Sequence, residues 1–99
     1  MEDERICLEG AVKGVDLVNF NVYNSRLFVL IESNGMLYNT FIERDGNISD
    51  HSTIIIHLEQ TSNALRQAKR VKVTVEKQDG REDMPLYRVI KQYQILEER

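Results

Sequence analysis

Asn34-Gly35 restricts this chain more than any other pair of residues. It separates two runs rich in β-branched and aromatic residues, Arg26–Glu32 and Met36–Arg44. Asparagine and glycine both tolerate the positive φ that a two-residue turn between antiparallel strands requires. Such a turn also sets the register. Leu27 is expected to face Ile42, Val29 to face Thr40 and Ile31 to face Tyr38. That face reads as core. The other face pairs Phe28 with Phe41 and carries Arg26, Leu30, Asn39 and Glu43.

The same period of two runs through most of the sequence. Ile6, Leu8, Gly10 and Val12 alternate with Cys7, Glu9, Ala11 and Lys13, and Val18, Phe20 and Val22 alternate with Asn19, Asn21 and Tyr23. Gly10 and Gly14 interrupt this stretch, which predicts one long strand that bends or bulges between two partners. Asn24-Ser25 offers the turn that follows. Near the C-terminus, Val71, Val73 and Val75 alternate with Arg70, Lys72, Thr74 and Glu76. The polar loop Gln78–Asp83 then leads to a last strand at Leu86–Leu96.

One helix is expected between these strands. Thr61-Ser62-Asn63 supplies capping residues, Ala64–Ala68 supplies helix formers and Lys69 a basic end, with the start placed near Glu59. The segment Thr53–Leu58 is read as a strand on its β-branched run, which raises the strand count to six. The alternative is a longer helix, because Ile54, Leu58, Thr61, Leu65 and Ala68 share a helical face.

A chain of 99 residues, 41% apolar, can bury one core. A single domain spanning 1–99 is expected, ordered over about 5–96, with Glu2-Asp3-Glu4 and Glu97-Glu98-Arg99 as solvated ends. Five glycines and one proline exclude a collagen-like or linker composition. The longest apolar run is Leu27–Ile31, short of the roughly 20 residues of a membrane span. The acidic start Met-Glu-Asp-Glu-Arg is the wrong polarity for a secretory segment, so a cytoplasmic protein with no membrane partner is expected. The lone Cys7 excludes an internal disulfide and is read as an inert, half-buried thiol.

A long bent strand, a hairpin, a helix and a second hairpin form a pattern that resembles the oligonucleotide/oligosaccharide-binding (OB) fold. That fold is a five-stranded Greek-key barrel with its helix between the third and fourth strands. The resemblance spans roughly residues 5–96. It is most specific over Leu65–Leu96, where a basic helix end, Arg70–Val75, a glycine-containing loop and an alternating last strand look like the closing half of single-stranded-DNA-binding OB domains. SH3-type barrels are the competing fold, though a helix of this length suits them less. The resemblance implies a shallow groove on the second and third strands that holds single-stranded DNA or RNA by stacking and phosphate contacts.

Side chains that suit such a groove are present. Phe28 and Phe41 are opposed on a partly polar face, and Arg26, Arg44, Arg70, Lys72 and Arg88 supply positive charge. The blander alternatives are a phenylalanine pair packed beneath a loop, and outer-face charges that only solvate their strand. Net charge of −3 does not decide between them, because 66–77 contain five basic residues against Glu76 alone and a phosphate senses charge within about 10 Å. Tyr38, Tyr87 and Tyr93 fit either a ring edge beside the basic strand or a core position with the hydroxyl in solvent. Asp50, His51, His57 and Glu59 match no metal-ligand spacing, Asn47-Ile48-Ser49 matches a glycosylation sequon without a secretory context, and no nucleophile, phosphate-loop or zinc motif is present. The expectation is a non-catalytic single-stranded nucleic-acid-binding module without cofactor or metal. The alternative is an OB-type adaptor that binds a protein.

Overall fold

The central hairpin forms in the register that its turn dictates. In the computed structural model, which describes residues 5–19, 25–44, 51–81 and 84–99, β2 (Ser25–Ser33) and β3 (Met36–Arg44) are antiparallel. Leu27 lies opposite Ile42, Val29 opposite Thr40, Ile31 opposite Tyr38 and Phe28 opposite Phe41. Asn34 (φ 53°) and Gly35 (φ 80°) are both left-handed, and that turn matches the right-handed twist of the strands it joins.

The glycines of β1 (Arg5–Asn19) mark its bend. Arg5–Ala11 pair with β4 (Ala68–Arg81) and Ala11–Asn19 pair with β2. Gly10 lies where β1 passes beneath β2, and a Cβ there would overlap the Glu32 carbonyl oxygen. The register slips between Val12 and Gly14, and one extra residue reverses which side chains face inward. Leu8 and Val12 belong to the interior before the slip, Val15 and Leu17 after it. Asp16 and Val18 consequently sit on the outer face, opposite Phe28 and Arg26. The alternation expected at Val18 thus runs in the other phase, and its continuation at Phe20 and Val22 lies outside the described residues.

β5 (Met84–Glu98) runs antiparallel to β4 and, over Leu86–Arg88, parallel to Asn39–Phe41 of β3. These pairings close a barrel in the order β1-β2-β3-β5-β4. Among the described residues there are five strands, with one helix between β3 and β4, which is the plan that the resemblance implies, without the sixth strand read at Thr53–Leu58. The strand reading of Thr53–Leu58 is corrected: α1 runs from His51 to Arg66, so it also begins well before Glu59, and Thr61-Ser62-Asn63 lie past its middle. The physical reason is burial. Leu58, Ser62 and Leu65, at most 3% exposed, recur at helical spacing on the side that faces β1 and β2. Leu58 and Leu65 thereby join the interior cluster of Leu27, Val29, Ile31, Val71 and Val73.

Glu97, Glu98 and Arg99 are exposed, but Glu97 and Glu98 pair with β4 and Arg99 is tied to the barrel by hydrogen bonds. Its guanidinium donates to the carbonyls of Val12 (3.0 Å) and Ala68 (3.3 Å), and its backbone N–H donates to Gln67 (2.7 Å). The Val12 carbonyl lies at the register slip, where the ladder is interrupted. Tyr93 does not send its hydroxyl to solvent. That hydroxyl is 2.7 Å from Thr40 Oγ1, which donates to the Val29 carbonyl at 2.7 Å, and burial pushes the phenol's pKa up. Tyr38 and Tyr87 meet edge to face at 5.3 Å, with Tyr87 in the interior cluster.

Candidate nucleic-acid interface

Strand pairing carries one row of outer-face residues around much of the barrel. Asp16 of β1 lies opposite Phe28 of β2, Phe28 opposite Phe41 of β3, Phe41 opposite Arg88 of β5, and Arg88 opposite Glu76 of β4. Their neighbours in sequence point inward. Leu27, Val29, Thr40 and Tyr87 are buried, and an odd–even alternation leaves the row on the other side of the sheet.

The two aromatics do not play equal parts. Phe41 is 4% exposed yet stands apart from the interior cluster. Its ring centroid is 6.1 Å from that of Phe28, at 41°, and the Arg26 guanidinium carbon lies 5.2 Å from the Phe41 centroid. That distance is within cation–π range. Phe28 is half-buried. Phe41 is thus buried with Arg26 and Phe28 against it, and Phe28 is the more exposed ring of the pair. Half-buried Leu30 and Asn39 extend this face from the adjacent opposed pair.

The charged candidates separate into two groups. Arg26 and Arg88 adjoin the phenylalanines. Arg44 ends β3 opposite Ser25, and its side chain lies outside the described residues. Lys72 and Arg70 are exposed on β4 but four and six residues from Glu76, about 13 and 20 Å at a rise of ~3.3 Å per residue. All four basic residues face an acid across a ladder, Lys72 opposite Glu9, Arg70 opposite Glu97, Arg26 opposite Glu43 and Arg88 opposite Glu76, so distance alone separates the two groups. The structure does not bring Lys72 and Arg70 to the phenylalanine pair.

Asp16 was missed in the sequence because it joins the row only through the slip at Val12/Gly14. The signal available was Val15 and Leu17 flanking it. Cys7 is exposed rather than half-buried, opposite Thr74. Asp50 and Asn47 lie outside the described residues, as do the side chains of His51 and His57, and no cluster of three metal-ligating side chains occurs among the described residues. Among those residues no helix is long and apolar enough to cross a membrane. No family model matches the sequence, and no curated protein matches it.

Proposed function

We propose that this chain is a non-catalytic OB-type module that holds single-stranded nucleic acid on the outer face of β2, β3 and β5. The OB reading is supported by the strand order, the parallel β3–β5 pair and the helix between β3 and β4. The functional reading rests chiefly on one observation, the Phe28 ring beside Phe41, with the Arg26 guanidinium over Phe41 and Arg88 opposite Phe41 on the next strand. An aromatic face accepts any unstacked base, and the guanidinium groups on its Phe41 side meet phosphate oxygens. A duplex hides its base faces, so it gains only the charge term.

The test is an anisotropy titration with a labelled dT oligonucleotide of about 16 nucleotides, a length suited to one such module. Binding should exceed that of the matched duplex and weaken with salt by about 0.7 log units per log unit for each phosphate contact. Equal affinity for duplex and single strand counts against the proposal. A second reading, docking of a protein partner, is favoured by Met36 and Leu37 at the hairpin tip, which are 62% and 60% exposed. A folded chain that binds no oligonucleotide favours that second reading.

A further inference from the structure

Asp16 ends the outer row, and the stacking and phosphate contacts proposed above leave it unused. It is the direct cross-strand partner of Phe28, is exposed, and lies between Val15 and Leu17, which pack against the interior. Directly opposed residues hold their Cβ atoms about 4.5–5.5 Å apart. A base laid on Phe28 therefore overhangs Asp16 on one side and the Phe41–Arg88 side on the other. No hydrogen bond or ion pair among the described residues engages the Asp16 carboxylate.

We infer that Asp16 makes this position selective for guanine, an inference that rests on the single-strand reading above. The chemistry is a matching of donors to acceptors. An ionised carboxylate only accepts, through two oxygens. Guanine presents N1–H and an N2–H side by side on its Watson–Crick edge, so both oxygens are satisfied by charge-assisted bonds. Adenine and cytosine offer one amino hydrogen beside a ring-nitrogen lone pair. Thymine and uracil offer one N–H between two carbonyl oxygens. Each of those edges sets a lone pair against the carboxylate. Charge also orients the strand: the Asp16 carboxylate repels phosphate while Arg88, three strands away across β2 and β3, attracts it. The backbone thus follows β3–β5 and the base edge points to β1.

The experiment compares dT oligonucleotides carrying one central dG, hypoxanthine, dA or dC with the all-dT parent, using the whole chain and its Asp16→Asn variant. Asp16 is exposed, so the variant keeps its fold, checked by an unchanged thermal transition. A single dG should tighten binding roughly 10-fold, a value typical of one good bidentate contact. Hypoxanthine, which lacks the 2-amino group, should fall between dG and dT. In Asp16→Asn the dG-to-dT ratio should collapse toward one. Equal binding of all five oligonucleotides, or a dG preference that survives Asp16→Asn, overturns this inference alone. Absence of binding to every oligonucleotide overturns it together with the single-strand reading.

Discussion

Alanine at Gly10 and at Gly14 should move stability in opposite directions, although the two glycines sit four residues apart in one strand. Neither has a positive φ, so the backbone conformation itself accepts alanine at both. In the unfolded chain a methyl group removes conformational freedom, which favours the folded state by about 0.4–1 kcal/mol. At Gly14 nothing opposes that gain. The nearest atom to an added Cβ is Leu30 Cβ at 3.8 Å, an ordinary contact. At Gly10 the added Cβ would overlap the Glu32 carbonyl oxygen, approach its carbon to 2.8 Å and Ile31 Cγ2 to 3.1 Å. Backbone on one side and a fully buried side chain on the other leave little to give way, so β1 and β2 must separate. Overpacking of this kind costs typically ~1–3 kcal/mol, and separation also strains the bond from Ser33 Oγ to the Glu9 carbonyl, now 2.9 Å. The net expectation is a loss of about 1–3 kcal/mol for Gly10→Ala and a gain of up to about 1 kcal/mol for Gly14→Ala. Urea unfolding monitored by far-UV circular dichroism measures both, with unchanged m-values confirming a stability effect. Two variants of equal stability, or a Gly10→Ala chain as stable as the parent, would refute the close approach of β1 to β2.

The phenylalanine pair should divide between stability and binding. Phe41→Ala removes a buried ring and should cost roughly 3 kcal/mol, whereas Phe28→Ala should cost about 1 kcal/mol or less in urea unfolding but ~1–3 kcal/mol in oligonucleotide affinity; the opposite assignment would contradict the burial of Phe41. Tyr93 predicts an alkaline weakening: its folded pKa is raised above the ordinary 10.0, so its contribution is intact below pH 10. Above pH 10 the unfolded chain ionises first, and stability falls by at most about 1.4 kcal/mol per pH unit. Urea midpoints between pH 8 and 11 should decline less steeply in Tyr93→Phe, and identical profiles would remove Tyr93 as a cause. Arg99→Ala leaves the carbonyls of Val12 and Ala68 without their guanidinium donor and should cost about 1–2 kcal/mol, with faster amide exchange at the β4–β5 end; unchanged exchange there would show that the anchor contributes nothing.

The amino-acid sequence alone determined everything that depends on neighbours along the chain. Asn34-Gly35 set a turn, the turn set a register, and the register placed Phe28 opposite Phe41. Gly10 and Gly14 announced a bend in β1, and the alternation of Val71, Val73 and Val75 announced a half-buried strand, because a backbone that needs room or a side chain that needs shelter is visible within a few residues.

What remained was decided by contacts between residues far apart in sequence. Thr53–Leu58 suits a strand by local preference, and it became helix because Leu58, Ser62 and Leu65 meet β1 and β2 only when wound. The slip at Val12/Gly14 turned Asp16 to the outer face beside Phe28. The parallel β3–β5 pairing brought Arg88 to Phe41 and left Arg70 and Lys72 farther along β4. Composition counted those three basic residues alike. Local rules reach a few residues because their forces are sterics and hydrogen bonds between neighbours, whereas barrel closure is settled by the whole set of buried side chains at once, and it alone chose which charges stand beside the aromatic pair.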